Sequence, residues 1–215
     1  MTSERNLIMK YNIILASGSP RRRELMDRIG SDYICIPSNK EEDMSGHDPK
    51  IMVEMLSAMK AGDIANKIID GTFPYSSAVI IGCDTVVAFE KKILGKPKNE
   101  EDAVSMIKSF VGKAHHVHTG VCILVIQNKQ IVKKVNYSVS TAVNVVNMTD
   151  EEIRSYVATG EPMDKAGAYA IQGLFCPFID SIEGDYYNIV GFPISSIYRS
   201  FKNLGIDIVS GSSDI

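Results

Sequence analysis

NIILASGSPRRR, residues 12–23, leads from a buried strand into the first turn of a helix. Residues 12–16 are an apolar run that ends in turn-forming residues, a pattern typical of a buried strand. Ser19 is suited to cap a helix and Pro20 to occupy its first position, so we expect a helix that ends before Gly30. The stretch predicts a strand, a loop and a helix in immediate succession.

Strands and helices continue to alternate along the rest of the chain. We expect further strands over residues 33–36, 78–81, 86–89, 117–126 and 131–146, and further helices over residues 49–70, 99–112, 149–160 and 193–204. Two of these helices begin with the spacing of a capping box, Asn99 with Asp102 and Thr149 with Glu152.

The middle of the chain indicates how the sheet is arranged. Its two longest strands are joined at Asn128-Lys129, and a turn as short as this makes them antiparallel. Alternating elements around such a pair predict a mixed α/β sheet. We expect one domain over residues 11–208 with two lobes and a cleft between them. An N-terminal extension (residues 1–10) precedes it, and a frayed tail (residues 209–215) follows it.

Composition argues against several classes of protein. The 215 residues are 45% hydrophobic and 23% charged, which is ordinary for a globular domain. The net charge of −3 disfavours binding along a nucleic acid, which draws on many lysine and arginine contacts, but it is compatible with a local basic pocket. No run approaches the ~20 apolar residues of a membrane span, and the N-terminus lacks the pattern of a secretory signal. We therefore expect a cytoplasmic enzyme.

The loop between the first strand and the first helix is the first candidate site. Amides at a helix start carry a partial positive charge that stabilises an anion, and Gly18 lets a ligand approach the backbone. The hydroxyls of Ser17 and Ser19 add donors, and the three arginines of residues 21–23 supply forked donors that suit phosphate oxygens. The spacing is not that of a Walker A loop. The alternative is a solvated basic helix start.

Asp84 is the second candidate. It lies in Gly82-Cys83-Asp84-Thr85, directly after the apolar strand 78–81. A carboxylate that leaves a buried strand needs a partner, because a buried unpaired charge is costly. Open α/β sheets bind ligands beyond the carboxyl ends of their strands, where we expect Asp84 to emerge. The alternative is an aspartate that caps a turn.

Further polar residues could complete a site around Asp84. The acidic run Glu41-Glu42-Asp43 is either a solvated loop or, with Asp84, a source of oxygen ligands for a divalent cation such as Mg²⁺ or Mn²⁺. Lys60 and Lys96, each taken alone, are typical surface lysines. Gln172 lies in a glycine-punctuated loop, and its amide offers the donor and the acceptor needed to recognise a base edge.

Together, these strings resemble the Maf family of nucleoside triphosphate pyrophosphatases. The resemblance covers nearly the whole chain, in the order Leu15-Ala16-Ser17-Gly18-Ser19-Pro20-Arg21-Arg22, Lys60-Ala61, Gly82-Cys83-Asp84-Thr85-Val86, Gly95-Lys96-Pro97, Thr119-Gly120-Val121, Glu161-Pro162-Met163-Asp164-Lys165-Ala166-Gly167-Ala168-Tyr169 and Val190-Gly191-Phe192-Pro193-Ile194. It implies an elongated, curved mixed sheet flanked by helices, with two lobes and a cleft, as in inosine-triphosphatase-like proteins.

The resemblance also implies an activity. Members of this family cleave a nucleoside triphosphate between the α and β phosphates, releasing a nucleoside monophosphate and pyrophosphate with the help of a divalent metal. Asp84 matches the family's catalytic aspartate. Arg21, Thr85 and Gln172 match the subgroup that prefers dTTP and UTP, whereas the subgroup that acts on methylated GTP has other residues at these positions.

From the residues and the resemblance together we assign roles. The triphosphate is expected to contact Ser17, Ser19, Arg21, Arg22, Lys60 and Lys96, while Arg23 faces water. Glu41 and Asp84 are expected to hold the metal. We expect Asp84 to orient a metal-bound hydroxide rather than to act mainly as the proton acceptor, because carboxylates are weak bases at neutral pH. Leu174-Phe175 depart from the family's glycine and are expected to alter the pocket rim.

Two other functions remain open on the sequence. One is a nucleotidyl- or sugar-phosphate transferase that uses the same phosphate loop, which pyrophosphate release with water as the sole acceptor would separate. The other is a non-catalytic nucleotide-binding regulator of cell division, against which the acidic residues argue. A nucleoside triphosphate is the expected partner, and we allow for a homodimer.

Overall fold

The computed structural model describes residues 9–40 and 48–213. The strands are β1 (Met9–Lys10), β2 (Asn12–Leu15), β3 (Tyr33–Cys35), β4 (Ala78–Phe89), β5 (Lys92–Leu94), β6 (Ala114–Gln127), β7 (Gln130–Val145), β8 (Ile179–Glu183) and β9 (Ser212–Ser213). The helices are α1 (Pro20–Arg28), α2 (Pro49–Ile69), α3 (Glu100–Phe110), α4 (Asp150–Val157), α5 (Tyr186–Val190) and α6 (Ile194–Leu204). Short 3₁₀ turns lie at Glu161–Asp164, Ala166–Ala168 and Cys176–Phe178.

Seven strands of the described chain form one mixed sheet in the order β3-β2-β4-β6-β7-β8, with β5 also paired to β4. Strand β2 is parallel to both β3 and β4, and the pairs from β4 through β6 and β7 to β8 are antiparallel. Asn128 and Lys129 both adopt positive φ angles, 48° and 60°, as a tight hairpin turn requires. The predicted mixed sheet with an antiparallel central pair is confirmed.

Helices cover both faces of the sheet and divide the apolar core between two lobes. In the first lobe, α1 and α6 pack on one face around Ile81 and Ile123, and α2 packs on the other face around Ile80. In the second lobe, α3 and α4 pack around Val87 and Phe175. Strands β4 and β6 run through both lobes, so a cleft between the lobes must open along them.

Strand β4 is continuous, whereas the sequence predicted two strands interrupted at residues 82–85. These four residues pair with residues 119–122 of β6, so the hydrogen-bonded ladder is not broken. The glycine and the aspartate that indicated a turn instead face a closely packed helix, as described below. The turn after β4 falls at Glu90-Lys91, with φ angles of 48° and 66°.

Several short elements were missed because they are too short to show a period. They are β5, β8, α5 and the 3₁₀ turns. The prediction of a frayed tail is wrong for residues 211–213. Ser212–Ser213 pairs with Met9–Lys10, and the Tyr11 N–H donates to the Gly211 carbonyl at 2.9 Å.

The two predicted capping boxes differ in the structure. Thr149 and Glu152 form the complete reciprocal box at the start of α4. Asn99 accepts a hydrogen bond from the Asp102 N–H, but the Asp102 carboxylate reaches past it to the Lys98 N–H, so this box is not closed. No helix in the described parts of the chain combines the length and the hydropathy needed to cross a bilayer.

Candidate active site

The cleft opens on one edge of β4, where two neighbouring strands leave a gap. Strand β2 pairs with β4 as far as Ile81, and β5 pairs with it from Val87 onwards. A cavity of about 320 Å³ opens beside the gap. Its lining includes Ser19, Arg21 and Arg22 before and in α1, Asp84 and Thr85 of β4, Lys96 after β5, Asp164, Lys165 and Gln172, and Gly191.

Asp84 forms an ion pair with Lys60 beside this cavity. Lys60 Nζ lies 2.5 Å from Asp84 Oδ1, and the two side chains are only 14% and 10% exposed. The buried carboxylate therefore has the partner that the sequence required. The prediction that Asp84 emerges from the end of a strand is wrong. Asp84 lies in the interior of β4, at the gap between β2 and β5. Lys60 contributes to the site through Asp84 rather than by lining the cavity.

Two glycines bring Lys60 to Asp84. Gly82 lies two residues before Asp84, on the same face of β4, and a Cβ there would be 2.2 Å from the Ser57 carbonyl oxygen of α2. Gly120 is the cross-strand neighbour of Asp84, and a Cβ there would be 1.9 Å from another backbone oxygen of α2. Helix α2 therefore rests directly on the sheet, and Lys60, about one turn after Ser57, reaches the carboxylate.

Arg22, which was predicted to bind phosphate, makes most of its hydrogen bonds within the protein. It is 8% exposed, and its guanidinium donates to the Gly191 carbonyl (2.8 Å), Ser17 Oγ (2.8 Å), the Cys83 carbonyl (2.9 Å) and Thr85 Oγ1 (3.1 Å). These bonds use four of the five N–H groups of an arginine. Arg22 thereby joins the loop before α1 to β4 and to the turn at Gly191. Ser17 serves as its acceptor and does not line the cavity.

The basic loop, residues 17–23, lines the cavity with Ser19 and Arg21 in addition to the buried Arg22. Ser19 caps α1 by position, but its side chain makes no capping hydrogen bond. Arg21 is exposed. The hydrogen bond and the charge of Lys165 hold the pKa of Asp164 below its usual value, and the charge of Arg21 lowers it further. Arg23 is exposed, as expected.

Lys96 and Gln172 lie on exposed loops at the second lobe. The Gly167 N–H donates to the Gly95 carbonyl at 3.0 Å, which ties the loop of Lys96 to the segment that leads to Gln172. The cavity therefore has cationic residues from both lobes and a side-chain amide from the second.

Thr85 belongs to a buried hydrogen-bond chain that the sequence did not predict. Its Oγ1 lies 2.9 Å from Thr119 Oγ1, and Thr119 donates to the Asn188 carbonyl at 2.9 Å. The Asn188 amide in turn donates to the Val117 carbonyl and to Thr141 Oγ1. The chain links three strands to α5 and so fixes the turn that receives Arg22. The only signal for this hydrogen-bond chain in the sequence was the Thr119-Gly120-Val121 string of the family resemblance.

The remaining predictions concern the metal site and the rim of the cavity. Glu41, the predicted second metal ligand, lies outside the described residues. Within those residues, no group of three or more histidine, cysteine, aspartate or glutamate side chains could hold a metal ion. Asp164 and Lys165 line the cavity as an ion pair, although the sequence did not single them out. Leu174-Phe175 do not line the cavity, and Phe175 is fully buried in the second lobe.

Fold and site together define a mixed α/β protein with a cationic cleft between two lobes and a buried lysine–aspartate pair beside it. The chain belongs to the Maf-like protein family, whose model matches residues 12–204.

Relatives with assigned names cover most of the chain. A dTTP/UTP pyrophosphatase of Lachnoclostridium phytofermentans is 45% identical over 93% of this chain and 98% of its own length. A dTTP/UTP pyrophosphatase of Thermococcus gammatolerans is 41% identical over 92% and 99%. Among solved structures, a nucleoside-triphosphatase (dITP/XTP pyrophosphatase) of Mycobacterium abscessus matches 89% of this chain and 93% of its own with a TM-score of 0.43 and 8% identity, a likeness too weak to carry a conclusion.

Proposed function

We propose that this chain hydrolyses nucleoside triphosphates, preferably dTTP and UTP, to a nucleoside monophosphate and pyrophosphate in the cytoplasm. The observation that carries the proposal is that one cavity is lined by residues of the basic loop, by Asp84 and by Gln172. Relatives at 41% and 45% identity over more than nine-tenths of the chain are named as dTTP/UTP pyrophosphatases.

The triphosphate fits the cationic part of the cavity. Ser19 and the first amides of α1 offer uncharged donors, and Arg21 and Lys96 offer positive charge from the two lobes. Phosphoryl transfer asks a protein mainly for positioning and for neutralisation of charge, which these groups supply. Arg22 contributes by holding the loop in place.

Asp84 carries the chemistry in this proposal. Its carboxylate orients the attacking water towards the α-phosphate, and Lys60 fixes and neutralises the carboxylate from the side of α2. As the new bond to the α-phosphorus forms, the water passes a proton to the Asp84 carboxylate, the bond to the bridging oxygen breaks and pyrophosphate leaves with that oxygen. Arg21 and Lys96 offset the charge that develops on the leaving group.

The donor set is chemically suited to Mg²⁺ or Mn²⁺. Magnesium is usually bound through one or two carboxylates together with substrate phosphates, and Asp84 and Asp164 both line the cavity. When bound, such a cation would neutralise phosphate charge and activate water. Asp84 is the residue that we propose to hold it, and Glu41 is proposed as the second ligand.

Base selection is assigned to the second lobe. We propose that the Gln172 amide pairs with the edge of the pyrimidine, where its donor and acceptor suit thymine and uracil. Arg21 and Thr85 complete the set of residues expected for this substrate class. Thr85 acts at least in part through Arg22, since its hydroxyl accepts a hydrogen bond from that guanidinium.

The test is Asp84→Asn, with Asp70→Asn as a control on the exposed end of α2. D84N should lose pyrophosphate release from dTTP and UTP and keep nucleotide binding, measured by calorimetry, while D70N should match the wild type. Full hydrolysis by D84N would remove the proposal. Turnover that requires an acceptor other than water would indicate a transferase instead, and binding without turnover by the wild type would indicate a regulator.

A further inference from the structure

The turn that carries Gln172 is held in place by its neighbours rather than by a helix or strand. Residues 171–175 form a turn, and the Gln172 side chain is exposed. Its position therefore depends on what holds the backbone on either side. Within the turn region, the Gly173 N–H donates to the Ala170 carbonyl at 3.0 Å.

Glu161 ties this turn to helix α4 through both of its carboxylate oxygens. Oε2 accepts a hydrogen bond from the Leu174 backbone N–H at 2.9 Å, and Oε1 accepts one from the Tyr156 hydroxyl at 2.9 Å. Hydrogen bonds to a charged acceptor are stronger than neutral ones. The bond from Tyr156 is partly buried, and the bond from Leu174 is exposed. A single carboxylate therefore connects α4 to the residue two positions after Gln172.

Tyr156 gives this carboxylate a rigid support. Its side chain is 4% exposed, and its ring centroid lies 5.0 Å from that of Phe175. Burial raises the pKa of Tyr156, as do its hydrogen bond to Glu161 and the charge of that residue, while a hydrogen bond from the Ala170 backbone acts in the opposite direction. Leu174, two residues after Gln172, is thus tied to the Tyr156–Glu161 pair.

Gly173 shows how closely the carboxylate lies against the turn. A Cβ at this position would be 2.2 Å from Glu161 Oε2 and 2.4 Å from Oε1. An alanine could be accommodated only if the carboxylate moved away from its two hydrogen-bond partners. The glycine is therefore required by the contact itself, and its replacement offers a second way to disturb that contact.

We propose that Glu161, supported by Tyr156, is a positioning residue that fixes the Gln172 turn and thereby sets the preference for thymine and uracil nucleotides. The proposal rests on the proposed function, in which Gln172 contacts the base. Glu161 does not line the cavity, so it acts on the substrate only through the turn.

The experiment compares kcat and KM for dTTP and for dCTP, whose base edge exchanges a donor for an acceptor. Glu161→Ala should lower the ratio of kcat/KM for dTTP over dCTP about tenfold, mainly through a higher KM for dTTP, because the turn is no longer fixed. Glu161→Gln should recover most of the ratio, since its amide oxygen still accepts from the Leu174 N–H. Glu151→Ala, at an exposed glutamate of helix α4, is the matched control and should resemble the wild type.

Gln172→Ala separates the role of Gln172 in contacting the base from the role of Glu161 in positioning the turn. An unchanged ratio in Q172A would overturn the role of Gln172, and the positioning role with it. A lowered ratio in Q172A together with an unchanged ratio in E161A would overturn the positioning role alone. The double variant should show the ratio of Q172A, because the two residues act through one contact to the base, and additive losses would contradict this.

Gly173→Ala keeps the proposal testable if E161A folds poorly. It leaves Glu161 in the chain but displaces the carboxylate, so we expect it to lower the same ratio. A lower melting temperature in G173A with the ratio intact would mean that the contact is only structural, and the proposal would be wrong.

Discussion

The two sides of the cleft are held in different ways. On one side, helix α2 packs directly on β4 and β6 over Gly82 and Gly120, and Lys60 and Asp84 are fixed between packed elements. On the other side, Gln172 lies on an exposed turn held by the Glu161 carboxylate. The residues assigned to chemistry thus lie on a rigid scaffold, and the residue assigned to selectivity lies on a loop, where changes are tolerated more readily.

This difference predicts different consequences of mutation. Damage to the packed side should reduce kcat for every substrate, because the water and the phosphate are no longer aligned. Damage to the loop side should instead change which base is preferred. The packed side is tested by variants of Lys60 and Gly82, and the link between the loop before α1 and β4 is tested by variants of Arg22.

The largest effect is expected for Lys60→Met, which removes the cation in contact with Asp84. We expect kcat to fall about 1000-fold, since the carboxylate loses the group that fixes and neutralises it. Lys67→Met is the matched control, because Lys67 forms an ion pair with Asp63 on the same helix but away from the cavity. Steady-state pyrophosphate release checks both variants, and equal kcat values for K60M and K67M would contradict the account.

Gly82→Ala should separate α2 from the sheet without changing any polar group. Its Cβ would meet Ser57 and Ala61, so we expect a fall in kcat of about 100-fold and a loss of about 1–3 kcal/mol in the free energy of unfolding. Gly62→Ala, within α2 and with no atom within 4 Å of its new Cβ, should instead stabilise the protein by about 0.5–1 kcal/mol. Denaturant unfolding and kcat are measured together, and G82A with wild-type kcat would mean that the close packing is not needed.

Arg22 and Arg21 show the same contrast on a smaller scale within one helix turn. Arg22→Lys leaves several buried acceptors unpaired, so the free energy of unfolding should fall by about 3 kcal/mol and kcat by about tenfold. Arg21→Lys, at an exposed position, should change stability by less than about 0.5 kcal/mol and raise KM for dTTP a few-fold. The reverse pattern would indicate that Arg22 binds phosphate, as the sequence predicted.

Local patterns made much of the fold predictable. The strand, loop and helix of residues 12–23 carry an apolar run, a cap and a proline, and the structure has β2 and α1 there. The hairpin at Asn128-Lys129 and the capping box of Thr149 were predictable for the same reason. Strand β4 was not, because glycine and aspartate within it indicate a turn unless the helix packed against them is known.

The candidate site was predictable in its residues but not in its contacts. Lys60 and Asp84 are distant in sequence, and their pairing depends on Gly82 and Gly120 letting α2 rest on the sheet. Arg22 could not be told from Arg21 by type, since both line the cavity and only the burial of the Arg22 side chain shows that it is bonded within the protein. The roles of Ser19, Lys96 and Gln172 stay predictions.

The most direct test of the account is to identify the bond that breaks when dTTP is hydrolysed in water labelled with oxygen-18. If Asp84 and Lys60 direct water to the α-phosphate, the products are dTMP and pyrophosphate in equal amounts, with the label in dTMP. Formation of dTDP and phosphate, or label in the pyrophosphate, would show that the attack occurs elsewhere and would contradict the account.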